Sequence, residues 1–324
     1  MVVFTAGAGA NGGLCMALEL SILYRGSLSS CNYGCEYCPF AKRSNTAAEL
    51  AKDQAELDRF VDWVSERDPA DQLGILFTPW GEALIHGYYQ QAITRLSWLP
   101  QVHKVAIQTN LSGGLDWVPD CDLASLAFWT TFHPGEVEID RFLAQCRVLD
   151  KYQAKYSVGI VGLKEHQEDA LRLRQSLAPQ IYMWVNAYKR QVGYYDAADV
   201  DLFTQIDPLF AMNNQVYDTL GKPCNTGHTV VSVDGDGTMR RCHFVPEIIG
   251  NIYDSSFQDA LFLRNCQNQV CRCHIGYVYL PELNLNKVYG SGILERIPTT
   301  LLGFGTFLPS DKFFLLNTLS DFTV

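Results

Sequence analysis

No stretch of the 324 residues stays apolar for the roughly 18 positions a membrane-spanning helix needs, so no such helix is expected. Runs of lysine or arginine are missing as well: 25 basic residues stand against 35 acidic ones, a formal charge of −10. Affinity for nucleic acid rests on neutralising phosphates, so no nucleic-acid partner is expected. The start of the chain lacks the basic segment and long apolar run of a signal peptide, which makes a cytoplasmic protein the expectation and a disulfide framework an unexpected use of its thiols. Charge is sparse at 19% against 48% hydrophobic residues, a balance that suits one core of about 200 residues with an appendage.

Cysteine, by contrast, is abundant. Of eleven, three stand at Cys31, Cys35 and Cys38 in SCNYGCEYCPF, a Cys-x3-Cys-x2-Cys spacing. Three thiolates so close can hold three irons of a cubane iron–sulfur cluster and leave the fourth iron open to another ligand. Zinc is the rival, but structural zinc usually takes two separated pairs, and the nearest further thiols, Cys15 and Cys121, are not at ligand spacing. Five more thiols, Cys224, Cys242, Cys266, Cys271 and Cys273, form a second group, and four of them would complete a [4Fe–4S] cluster. Spacing does not separate that from a structural zinc site.

Between the two groups, short apolar runs alternate with stretches of helical period. Strands are expected at 17–24, 73–77, 102–108, 126–132, 156–161 and 181–185. Leu57, Phe60, Val61 and Val64, then Tyr89, Ala92, Ile93 and Leu96, then Ile139, Phe142, Leu143 and Cys146 mark helix faces between them, with a further helix around 170–177. Repeated β–α order implies an α/β protein with a parallel sheet over residues 17–215, open or curved into a partial barrel. Past Gly221 the texture changes: Thr229 to Val233 and Thr238 to Arg241 flank Asp234-Gly235-Asp236-Gly237, a hairpin signal. With a helix expected near Phe257 to Leu263 and the cysteine-rich loop, residues 216–284 read as a small α+β unit that a metal centre could staple. Residues 1–16 are expected to be a tail and 285–324 an extension packed on the barrel. Gly7, Gly9 and Gly12 spell GxGxxG, but the strand that follows leaves no room for the helix of a dinucleotide site.

The cysteine triad, with Tyr37 at the aromatic position before its last cysteine, resembles the signature of the radical S-adenosylmethionine (radical SAM) enzymes. That resemblance implies a partial (β/α)6 barrel with the cluster in the loop after the first strand, and S-adenosylmethionine chelated to the open iron. Gly81-Glu82, in Thr78-Pro79-Trp80-Gly81-Glu82-Ala83, is similar to the family's Gly-Gly-Glu segment, with Trp80 in place of the first glycine; it implies a contact to the methionine amino group. Thr109-Asn110 and Thr131-Phe132-His133 resemble strand ends at which relatives meet the cofactor, and Ile160-x-Gly162-x-x-Glu165 resembles the adenine-contact motif. His133 is either such a contact or a structural histidine, and His86 reads as a helix-start residue. The second cysteine group resembles the twitch and SPASM auxiliary-cluster domains. Its closing pair is Cys271-x-Cys273 in place of Cys-x2-Cys, so the ligands are taken as Cys224, Cys242, Cys271 and Cys273, with Cys266 and then His274 as substitutes.

The function implied is reductive cleavage of S-adenosylmethionine, driven by an electron from flavodoxin or ferredoxin, followed by hydrogen abstraction from a ribosomal peptide or a small metabolite. Peptide-modifying relatives often carry an N-terminal leader-binding domain, larger than the stretch before the first strand here, a part that a separate partner could replace. The alternative is a non-catalytic iron–sulfur or zinc protein, an electron carrier or scaffold. Neither catalytic acid nor base is identified by the sequence.

Overall fold

A computed structural model describes residues 17–40 and 43–299; the GxGxxG motif and the tail lie outside these. Six parallel strands, β1 (Glu19–Gly26), β2 (Gln72–Phe77), β3 (Val102–Thr109), β4 (Leu126–Phe132), β5 (Lys155–Gly162) and β6 (Met183–Ala187), stand side by side in chain order. Helices α1 (Ala47–Ser65), α2 (Gly87–Ser97), α3 (Ile139–Tyr152) and α4 (Gln167–Ser176) lie between them, and α5 (Ala197–Ile206) follows β6. The strands are apolar on both faces, as parallel strands buried on both sides must be. On the outer face Ile22, Ile75, Val105, Phe128 and Val158 meet the helices, in the same core as Leu57, Phe60, Tyr89 and Phe142.

Local chemistry sets the helix starts. Thr46 and Glu49 form a reciprocal capping box at α1, and Asp196 and Asp199 form another at α5. The sequence pattern did not reveal α5, and the helix expected near Phe257 is only a 3-10 turn, Phe257–Ala260. Its four residues follow Ser256 with no side-chain cap, and only Phe257 is buried, too little to hold an α-helix.

After the barrel come short strands β7 (Tyr217–Asp218) and β8 (Pro223–Cys224), then β9 (Val230–Asp234), β10 (Thr238–Arg240) and β11 (Ile248–Asn251). β9 pairs parallel with β1, and β10 and β11 add antiparallel, so the hairpin extends the barrel sheet to nine strands. β12 (Arg264–Asn265) closes on β8, and β13 (Val270–Cys271) on β7, which carries the late cysteines back towards Cys224.

The inner face of the barrel is filled from one end. Leu23, Leu76, Ala106, Ala127, Trp129 and Trp184 pack against Tyr277, Tyr279, Leu285, Tyr289 and Leu294. Gly74 and Gly159 make this possible: a Cβ on the first would press on Leu294 at 3.0 Å, and one on the second would overlap the Trp184 ring. Deepest in the plug, Glu295 pairs with Lys104 of β3 at 2.6 Å, and Ser157 of β5 donates to the Glu295 carbonyl. Leu285, Tyr289, Leu294 and Glu295 therefore pack against the inner face of the sheet, and the opposite end stays open. No helix among the described residues is long and apolar enough to cross a membrane.

Candidate functional site

The open end is the C-terminal end of the strands, where loops of a β/α barrel converge. A cavity of about 410 Å³ lies there. Every barrel strand contributes: Arg25 from β1, Gly81 and Glu82 after β2, Asn110 after β3, Thr131 and His133 at the end of β4, Val161 from β5 and Asn186 from β6. Cys31, Cys35 and Cys38 line it together with Tyr33 and Tyr37.

The cysteine loop is tied down at each step. Glu82 N donates to the Ser30 carbonyl at 3.0 Å, and a Cβ on Gly81 would sit 2.0 Å from that same oxygen, so only glycine lets the two backbones touch. Gly34 N donates to Glu136, and Asn110 Nδ2 donates to Asn32 at 3.0 Å and stands 3.7 Å from Cys31 Sγ. Tyr33 N–H points at the same sulfur from 3.4 Å. Tyr37 Oη lies 2.8 Å from His133 Nδ1, which is also 3.4 Å from Cys35 Sγ. Burial and then His166 push the His133 imidazole down to about 4, so it is neutral and can accept from the Tyr37 hydroxyl.

Glu82 is fully buried, yet its carboxylate accepts from Thr109 Oγ1 at 2.7 Å, Leu84 N at 2.9 Å and Asn110 N at 2.6 Å. Burial raises its pKa while these three donors oppose the rise. The acid thus locks the end of β2 to the end of β3. Ile160 behaves differently: its side chain faces the outer core, and its neighbour Val161 lines the cavity.

A second cavity, of about 630 Å³, adjoins the first and is lined by Cys224, Cys242, Cys266, Cys271 and Cys273. Cys271 and Cys273 converge on Gly276, where a Cβ would stand 3.5 Å from one sulfur and 3.7 Å from the other. Backbone N–H groups of Ile275 and Gly276 serve Cys273, those of Phe244 and Val245 serve Cys242, and that of Cys273 serves Cys271. Burial, and then the Cys273, Cys242 and Cys224 thiols, push the Cys271 thiol up to about 12 although the Cys273 N–H opposes it. Cys266 lines the same cavity.

Both thiol sets suit an iron–sulfur group: soft donors, an apolar surround and N–H groups aimed at sulfur. Among the described residues no three His, Cys, Asp or Glu side chains gather closely enough to hold a single ion. The thiolates of a cubane each take a separate iron and stand farther apart than ligands of one ion.

Arg25, Trp184, Lys189, Arg190, Phe244, Arg272 and His274 also line the first cavity and were not read from the sequence in that role. They come from β1, β6 and the segment after it, and the cysteine-rich loops, and no short motif joins them. The one sequence signal was Trp80, the departure from the family's glycine, whose ring lies 4.1 Å under the Arg25 guanidinium.

No protein-family model and no curated protein matches the sequence. Solved structures do. Native anSMEcpe with bound AdoMet and Kp18Cys peptide is 14% identical with a TM-score of 0.50, over 74% of this chain and 80% of that one. Streptococcus suis SuiB bound to S-adenosylmethionine is 15% identical with a TM-score of 0.52, over 75% of this chain and 65% of that one. At such identities the likeness speaks for the fold. In strand order and in these likenesses, the chain shares the fold of the two structures, a partial barrel with a small additional domain.

Proposed function

We propose that the chain is a radical SAM enzyme with an auxiliary cluster, acting on a ribosomal peptide. One observation carries the reading: the cysteine triad, the Gly81-Glu82 turn, Asn110 and His133 are walls of a single cavity at the C-terminal ends of the strands. When bound there, a [4Fe–4S] cluster and S-adenosylmethionine supply a 5'-deoxyadenosyl radical that removes hydrogen from a substrate.

Cys31, Cys35 and Cys38 would hold the cluster, and Gly81, Glu82 and Asn110 would face the methionine moiety. Tyr37 would keep the neutral His133 beside the cofactor, and the backbone around Ile160 and Val161 would border the adenine. Trp184, Asn186, Tyr188 and His274 remain as the wall for substrate. A peptide as substrate is supported by the peptide bound in the anSMEcpe structure that shares the fold. The second cavity would hold an auxiliary [4Fe–4S] cluster on Cys224, Cys242, Cys271 and Cys273, and flavodoxin or ferredoxin would supply the first electron.

The test is anaerobic reconstitution followed by chromatographic assay of 5'-deoxyadenosine. About eight irons per chain and slow cleavage without substrate are expected. Tetrahedral zinc at the triad, or an iron centre whose spectrum ignores S-adenosylmethionine, would falsify the reading.

Three substitutions probe the parts. Gly81→Ala forces the β2 turn away from Ser30, which neighbours Cys31. A displacement of about 1 Å at a reacting centre costs roughly a hundredfold. Cleavage should fall at least that far while circular dichroism stays unchanged; near-normal turnover would mean the turn does not position the triad. At the second site Cys242→Ala should leave about four irons and Cys266→Ala about eight. Equal losses in an iron assay would bring Cys266 into the ligand set.

A further inference from the structure

Between the two cavities lies a buried set of groups that the proposed function does not use. Arg25, at the end of β1, donates from Nε to His243 Nδ1 at 2.8 Å and from Nη1 to the Thr78 carbonyl at 2.6 Å. Trp80 covers the guanidinium, and Phe40, two residues beyond Cys38, packs against Trp80 with ring centroids 4.2 Å apart. Ser232 Oγ stands 2.8 Å from the same His243 nitrogen. Arg25 therefore has three fixed partners, in a chain segment where a free cation would swing into either cavity.

The arginine decides which ring nitrogen of His243 carries the proton. A guanidinium has donors and no acceptor, so Nδ1 must present its lone pair. In the neutral ring the hydrogen then sits on Nε2. That atom is buried and has no hydrogen-bond partner among the described residues. His243 follows Cys242 directly and lines the cysteine cavity, and it is absent from the lining of the first. A buried N–H without an acceptor is unfavourable, and the cavity that His243 lines with five thiols is where a sulfur acceptor would stand.

Resting on the auxiliary-cluster reading above, we infer that Arg25 fixes His243 as an Nε2–H donor to a sulfur of the auxiliary centre and so raises that centre's reduction potential. A donor to sulfur stabilises the more negative, reduced state. His243 is in this sense a positioning residue for electron transfer, and Trp80, the departure from the family's glycine, holds the arginine in register from the cofactor side.

The test is an EPR-monitored redox titration of the fully loaded protein. In His243→Ala the auxiliary signal should show a reduced-to-oxidised ratio about tenfold lower at the wild-type midpoint, which is about 59 mV for a one-electron couple. The signal of the first cluster, on the other side of Arg25, should not move. An unmoved auxiliary potential with about eight irons retained overturns the inference alone. About four irons in the wild type overturns the cluster reading and the inference with it. Pulsed EPR on reduced wild-type protein carrying isotope-labelled histidine needs no variant. A weak nitrogen coupling with an exchangeable proton is expected, whereas a strong coupling, the mark of a ligated ring, or none at all overturns the donor role.

Discussion

Cys35→Ala should abolish 5'-deoxyadenosine formation and lower the iron content from about eight to about four per chain. Each thiolate of the triad would hold a different iron, so two thiolates would leave two irons without protein ligands and the cubane would not be retained. Cys35 is the most enclosed of the three, 7% exposed, and it stands against His133 and under Tyr37, so no nearby side chain with a soft donor replaces it. Cys121→Ala is the matched control. That thiol is equally buried, but it packs beside Thr94 on the helical side of the sheet. Its loss should change neither iron nor cleavage. Both variants are read by the same anaerobic iron and product assays, and residual cleavage in Cys35→Ala above a few per cent would sink the assignment of the triad.

The barrel was legible because its strands are buried on both faces and so read as near-continuous apolar runs: Leu126 to Phe132 is β4 residue for residue. Helix faces such as Leu57, Phe60, Val61 and Val64 were legible for the complementary reason, one apolar stripe on a polar helix. The helix α5 escaped because Val200, Phe203 and Ile206 are spread among acidic and polar neighbours and its start is set by Asp196 and Asp199, a cap rather than a stripe.

The chemistry divides the same way. Thiol spacing is a local property, and the triad could be read before any fold was known. The carboxylate of Glu82 could be assigned to the cofactor segment, yet its three donors come from Leu84 and from the end of β3, 27 and 28 residues away. Arg25 and His243 meet across 218 residues. Such pairs exist only after the sheet has brought β1 beside β9, so sequence order carries no trace of them.

The same holds for the plug, and it leads to the largest expected change in stability. Lys104 and Glu295 are 191 residues apart, their side chains are 6% and 2% exposed, and they meet at 2.6 Å inside the barrel. Glu295→Ala leaves the Lys104 ammonium enclosed by Leu294 and the inner strands without its counter-charge. Removing one partner of a buried pair costs about 3–5 kcal/mol, because the remaining charge stays desolvated. A domain holds only about 5–15 kcal/mol in total, so the variant should melt far below the wild type and open to protease first around Leu294. Lys104→Met combined with Glu295→Leu should recover most of the loss, since an apolar pair of similar volume is often neutral or stabilising there. Denaturant titrations of the three proteins measure both terms. If Glu295→Ala costs less than about 1 kcal/mol, the range of an exposed pair, then water reaches the lysine and the extension does not seal the barrel.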